Sequence, residues 1–191
     1  MIKAYIQKIE NFNKSETESI KNALSFEALE RLNKKRNEAL HFASLCALSL
    51  LTDKQRADLN YTENGRPYFK TLNEDISISH SKTFVAVAIS DFKNSPVGID
   101  IEDAESVIPN NATRFLTENE KNALSKGVPY VEIWTKKEAL FKFLKNDSIQ
   151  FIHLDSTLPE TYDASFTTIQ IENSILTICT FPKEKIEIVE K

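Results

Sequence analysis

The chain has 191 residues, 41% of them apolar, enough for one folded domain or two small halves around a shared core. Its 24 Lys and Arg against 28 Asp and Glu leave a net charge of −4, which argues against a protein devoted to a nucleic-acid backbone or an anionic membrane. The glycines Gly65, Gly98 and Gly127 lie too far apart for a glycine-rich phosphate loop, and Cys46 and Cys179, each in an apolar run, read as buried free thiols of a cytoplasmic protein.

In chain order, Ile2 to Ile9 alternates with the period of a half-buried strand. Ser15 and Glu18 have capping-box spacing before a helix at Ile20, and a longer helical pattern runs through Leu29, Leu32, Ala39, Leu40, Ala43, Ala47 and Leu51. The apolar stretch from Ala43 to Leu51 is far short of the ~20 residues that cross a bilayer, and the N-terminus lacks the basic-then-apolar signal pattern. Asn64-Gly65-Arg66-Pro67 is turn chemistry, followed by short strands at Tyr68 to Lys70, Ile76 to Ile78 and Phe84 to Ile89. After a turn at Asn94 to Pro96, Val97 to Ile101 is a strand. Thr117 with Glu120 caps a helix that Gly127 ends, and Pro129 opens another that stops near Asn146. Phe166 to Ile171 and Ile175 to Phe181 alternate around Glu172-Asn173-Ser174 as a hairpin, and the last forty residues read as the sheet that completes the second half. The order strand, helices, strands thus occurs twice. It predicts an α+β fold of two similar halves, residues 1–93 and 94–191, each a small antiparallel sheet packed with helices, with the site at their interface.

Three segments carry candidate chemistry. In Val97-Gly98-Ile99-Asp100-Ile101-Glu102, period two puts Gly98, Asp100 and Glu102 on one face. Taken alone, that is first the pattern of a solvated strand face; what points to a Mg²⁺ site is that this hard cation takes one or two carboxylates plus water and substrate phosphates, with the glycine leaving room for substrate. On the helix Trp134 to Lys142, Glu138 and Lys142 are spaced as a surface ion pair, or as a metal ligand among cations, Lys136, Lys137, Lys142 and Lys145, able to hold a diphosphate. Ser77-Ile78-Ser79-His80-Ser81 is a polar strand end that is either a turn or a set of donors to a phosphate. No serine sits in a Gly-x-Ser-x-Gly turn, which argues against triad hydrolase chemistry.

Taken in order, Gly65-Arg66-Pro67, Ile78-Ser79-His80-Ser81, Val97 to Glu102, Phe115 with Glu120, and Trp134-Thr135-Lys136-Lys137-Glu138-Ala139 through Lys142 resemble the 4'-phosphopantetheinyl transferase superfamily, in its single-chain, two-half form. The resemblance implies Mg²⁺-dependent transfer of phosphopantetheine from coenzyme A to a serine of an acyl, peptidyl or polyketide carrier protein, by a monomer that needs neither nucleic acid nor membrane. It implies Asp100, Glu102 and Glu138 as metal ligands, and Glu138 as the base for the carrier serine, either directly or through a metal-bound water. Lys142 and Lys137 would contact the phosphates, Arg66, where the superfamily often has Lys, would bind coenzyme A, and His80 with Ser79 would contact the phosphoadenosine end. Glu120 reads as a helix cap and Trp134 as packing against the sheet. The stretch Glu38 to Leu45 lacks the arginine that members of the superfamily commonly carry late in the N-terminal helix, and Lys34, Lys35 and Arg36 are the nearby substitutes. The segment between Asn110 and Pro129, with Lys121 and Lys126, is the expected docking face for an acidic carrier. A non-catalytic relative that binds carrier or coenzyme A, and a plain Mg²⁺-dependent phosphohydrolase, are the competing readings.

Overall fold

The computed structural model describes residues 1–105, 112–146 and 148–191. Strand β1 (Ile2–Lys8) turns Ile2, Ala4 and Ile6 fully inward, as its alternation requires. The helical region that follows is more broken than its hydropathy pattern predicts, forming α1 (Thr17–Ala23), α2 (Phe26–Asn33) and α3 (Glu38–Ser49). Local caps make the breaks: Ser25 Oγ accepts the Ala28 N–H and the Asn37 side chain accepts the Leu40 N–H, each opening a new helix. The Ser15–Glu18 capping box does not form, because Asn13 accepts the Ser15 N–H and a 3-10 turn over Lys14–Glu16 precedes α1.

Helix α4 (Asp53–Asp58) and strand β2 (Leu59–Tyr61) occupy a stretch to which the pattern assigns no element; β2 pairs antiparallel with β3 (Pro67–Phe69). Strands β4 (Asp75–His80), β5 (Phe84–Ser90) and β6 (Gly98–Asp103) come next, then α5 (Glu118–Ser125) and α6 (Tyr130–Leu144). Strands β7 (Ser165–Ile171) and β8 (Ser174–Thr180) form the expected hairpin, with Glu172 at φ 49 in its two-residue turn. The last strand, β9 (Ile186–Glu190), corrects the expectation for the final residues. It leaves the second half and pairs in parallel with β1, so the first sheet has the order β4-β5-β1-β9 and the second β6-β8-β7.

Four layers result. Helices α1 to α3 cover one face of the first sheet through Ile20, Leu32, Leu45, Leu48, Val85 and Val87. The opposite face meets the second sheet through Ala4, Ala86, Ile99, Ile101, Leu176 and Ile178. Helix α6 covers the outer face of the second sheet with Ala139, Leu140 and Phe143. The fold is α+β, and residues 1–93 and 94–191 share the middle core. Cys46 and Cys179 are free and buried, and burial pushes both thiols up, Cys46 to about 11. Among the described residues no helix is long and apolar enough to cross a membrane.

Gly98 sets the spacing of the outer layer. A Cβ there would lie 1.9 Å from the Ala139 carbonyl oxygen and 2.7 Å from the Phe143 nitrogen, so the helix backbone rests directly on β6. The room made by this glycine is therefore taken by α6 and not by substrate. Gly98→Ala is expected to cost about 3 kcal/mol or more, since backbone cannot move aside as a side chain can. Gly127→Ala, at φ +94 with nothing within 4 Å, has only a left-handed backbone to oppose it and should cost about 1–2 kcal/mol. Urea midpoints in one buffer compare the two, and equal losses would contradict the close approach.

Candidate active site

The site grows from a seam between two strands of different sheets. Strand β6 is an edge of its sheet and β4 an edge of the other, and the two run side by side. The N–H groups of Val97, Ile99 and Ile101 are accepted by Asp75 Oδ2 at 2.9 Å, Ser77 Oγ at 3.1 Å and Ser79 Oγ at 3.4 Å. Period two aims every second side chain of β4 at every second amide of β6, at a constant offset of 22 residues. These are acceptors that buried edge amides need. Asp75 belongs to this constellation although its sequence context points to no role, and Ser77, expected in a turn or as a phosphate donor, instead accepts the Ile99 N–H; the polar alternation Asp75-x-Ser77-x-Ser79 is the available signal.

Ser79 continues the seam into the carboxylates. Its hydroxyl donates to Asp100 Oδ1 at 2.7 Å, so it is occupied inside the protein and not presented to a phosphate. Lys142, from α6, donates to the same Oδ1 at 2.7 Å and to the Ile99 carbonyl at 3.0 Å. Asp100 is 3% exposed, and its Oδ2 is buried without a hydrogen-bond partner. Glu102 lies two residues on, half-buried. Burial first, then the Asp100 charge, pushes its carboxyl up to about 7, with Glu138 adding to the effect and Lys142 opposing it. Burial also raises Glu138, with Lys142 opposing and Asp100 reinforcing.

Three carboxylates that repel one another, one with an orphaned buried oxygen, are a donor set suited to a hard divalent cation. Among the described residues no three His, Cys, Asp or Glu side chains are drawn together into a preformed ligand cluster. That openness is compatible with Mg²⁺, which keeps several waters and substrate oxygens in its shell.

Beside the carboxylates a cleft of about 480 Å³ opens between the halves, lined on one side by residues 64–67 and 76–78 and on the other by Glu138, Phe141 and Lys142. Arg66 enters it from the β2–β3 turn, donating to the Phe141 carbonyl at 3.3 Å with its guanidinium over the Phe141 ring. His80 lines a neighbouring groove of about 400 Å³ with Phe42 and Glu102. Its imidazole is held below the usual range, by burial first and then by the Lys35 ammonium. Of the three basic residues before α3, Lys34 is paired with Glu30 at 2.9 Å, whereas the charge of Lys35 is felt at His80.

Lys137 is not part of this cluster. It is fully buried, with its ammonium bound to Glu120 Oε2 at 2.8 Å and to the Leu154 carbonyl. One residue along a helix is a turn of about 100°, so Lys137 faces inward while Glu138 and Lys142 face the cleft. Glu120 caps α5 through a capping box with Thr117, and its Oε1 also accepts the Ser156 N–H at 2.9 Å and hydroxyl at 2.8 Å. Trp134 packs on Tyr130, Phe115 and Phe151, so it braces α6 against the flanking 3-10 turns Ala112–Phe115 and Phe151–His153.

Comparison with known proteins places the matching region on these same elements. Residues 96–185 match the family profile of the 4'-phosphopantetheinyl transferase superfamily. Over this span, just under half of the chain, the sequence is similar to that superfamily. An 86-residue stretch is 38% identical to 4'-phosphopantetheinyl transferase gsp of Aneurinibacillus migulanus, covering 42% of this chain and 35% of that relative, so the match spans about a third of the relative's length. The superfamily segment contains β6, α5, α6, β7 and β8, and with them Asp100, Glu102, Glu138 and Lys142. Arg66, Ser79 and His80 lie outside it and meet the matched segment at the cleft, the seam and the neighbouring groove respectively.

Two outcomes test this geometry. Between about pH 4.5 and 7 the folded protein keeps a proton on Glu102 that the unfolded chain has released, so stability falls as pH rises through that window. The group is partly solvated, and the expected loss is about 1 kcal/mol. Urea midpoints at pH 5 and 7.5 in EDTA should differ less for Glu102→Gln than for the wild type; identical slopes would contradict the shift. Lys137→Met, which leaves Glu120 buried without its cation, should cost about 3–5 kcal/mol. Adding Glu120→Gln should recover part of that loss in the same assay, and no recovery would contradict the pairing.

Proposed function

We propose that this protein transfers the 4'-phosphopantetheine arm of coenzyme A to a serine hydroxyl of an apo carrier protein, releasing 3',5'-ADP. The observation that carries the reading is the grouping of Asp100, Glu102 and Glu138 around Lys142 at the edge of a cleft shared by both halves. The three carboxylates would hold Mg²⁺, which when bound neutralises charge on the diphosphate. Ser79 and Lys142 fix Asp100 in place.

The remaining chemistry falls to side chains of this chain. Burial makes Glu138 a better proton acceptor than an exposed carboxylate, and it takes the serine proton as the serine oxygen bonds to the phosphorus bearing the pantetheine. The phosphoanhydride bond to 3',5'-ADP breaks, and Lys142, lining the cleft, stabilises charge on the departing phosphate. Metal ligation and proton acceptance compete at Glu138, because coordination weakens a carboxylate as a base. Arg66 and His80, with Lys35 in the role of the missing helix arginine, contact the phosphoadenosine end. For the carrier, the surface leading into and along α5 offers Lys121, paired with Glu118 at 2.7 Å, and the exposed Lys126; Asn110 and Asn111 of that expected docking face lie outside the described residues.

Intact-protein mass spectrometry tests the reading, with an apo acyl carrier protein, coenzyme A and Mg²⁺. The expected result is a gain of one phosphopantetheine arm, slowed about 10²–10⁴-fold in Glu138→Ala. In parallel, Mg²⁺ with coenzyme A should raise the melting temperature of the wild type but not of Asp100→Ala. A melting shift without mass gain across several carrier types would favour the non-catalytic relative, and release of inorganic phosphate without a protein acceptor would favour a phosphohydrolase.

A further inference from the structure

Helix α6 ends on a residue that its backbone does not favour. Lys145 closes the helix at φ 49, in the left-handed region where glycine is the common choice. Its long side chain crosses to the first half, where its ammonium meets Asp75 Oδ1. The Asp75 side chain is 4% exposed, and its other oxygen accepts the Val97 N–H at 2.9 Å. One carboxylate thus ties together β4, the entry to β6 and the last turn of α6.

The consequence lies further up the helix. Glu138, Lys142 and Lys145 follow at intervals of four and three residues and share one face. Anchoring Lys145 therefore fixes the rotation and height of the face that presents Glu138 and Lys142. Arg66 holds the same helix one turn earlier through the Phe141 carbonyl. Neither Asp75 nor Lys145 is among the residues that line the cleft, so neither is placed to touch a ligand there.

We propose that Asp75 and Lys145 are a positioning pair, a latch from the first half that sets Glu138 and Lys142 against Asp100; the role in transfer rests on the transferase reading above. A charged pair linking two elements contributes specificity of arrangement more readily than net stability. That difference makes the latch separable from ordinary packing.

The test is Lys145→Gly in the full chain, compared with wild type in carrier-modification kinetics, thermal melting and amide exchange. Glycine accepts the left-handed backbone, which offsets part of the cost of leaving the buried Asp75 carboxylate without its cation, so the melting temperature is expected to fall less than in Lys145→Ala. The turnover number kcat is expected to fall about tenfold or more through loss of alignment, with KM for coenzyme A changing less than about twofold, since no ground-state contact is removed. Lys145→Arg should restore most of the rate. Lys183→Gly, which relieves an exposed residue at φ 70 far along the chain, should leave kcat unchanged. Asp75→Asn keeps an acceptor for Val97 but loses the charge, and the double variant should be no slower than either single one. A wild-type kcat in Lys145→Gly, or fully additive losses in the double variant, would overturn the proposal. Amide exchange reads the latch without reference to activity: faster exchange in the last turn of α6 is expected for both single variants, and unchanged exchange would overturn it even if the wild-type protein modified no carrier.

Discussion

Strand β6 carries an amide edge that no neighbouring backbone covers, and three side chains of β4 cover it instead. Each buried amide left without an acceptor would cost about 1–3 kcal/mol, so Asp75, Ser77 and Ser79 are as much a part of the second sheet's stability as its own ladder. A side-chain seam also differs from a backbone pairing in what it leaves behind. Its rungs have spare polar capacity: Ser79 spends it on Asp100, and Asp75 on Lys145. The polar groups that join the sheets are therefore the ones that aim the candidate catalytic residues, and joint and site cannot be separated.

The second constraint acts from the other side of β6. Because Gly98 has no side chain, α6 lies close enough for Lys142 to reach both the Ile99 carbonyl and Asp100. The same closeness brings Glu138 into range of Asp100, and burial leaves their mutual repulsion poorly screened. Burial is the main reason both carboxyls are raised; at Glu102 the Asp100 charge outweighs Lys142, whereas at Glu138 Lys142 outweighs Asp100. Half-buried acids within electrostatic reach of one another are a cost to the fold that a bound divalent cation would relieve.

Much of this was legible in the chain. Period two announces β1 and the β7–β8 hairpin, a short apolar run announces β5, and the Thr117–Glu120 spacing announces the cap of α5, because these signals are local and the structure obeys them locally. The helical region was read as too continuous because its apolar positions keep helical spacing straight through Ser25 and Asn37, where caps interrupt it. Lys137 was misplaced for a different reason. Beside Glu138 in a lysine-rich run it looks like a phosphate contact, and only the distant Glu120 and Leu154, brought together by packing, show that its charge is satisfied inside. The seam was half-legible: the alternation of β4 was visible, but which strand it faced was a matter of topology.

The return of β9 to β1 closes the argument for treating the molecule as one functional unit. The superfamily segment ends at residue 185, and the strand that follows it is built into the first sheet. Remove the first half, and β6 loses the acceptors for three amides, Asp100 loses Ser79, and the middle core loses the face supplied by Ala4 and Ala86. The matched segment contains the acids, but what holds Asp100 in a defined place comes partly from residues outside it. Conversely, the first half alone presents Arg66 and His80 with no carboxylate cluster to serve. The register between the two sets of groups is fixed by hydrogen bonds crossing from one half to the other: Arg66 to the Phe141 carbonyl, Ser79 to Asp100, and the Val97 N–H to Asp75.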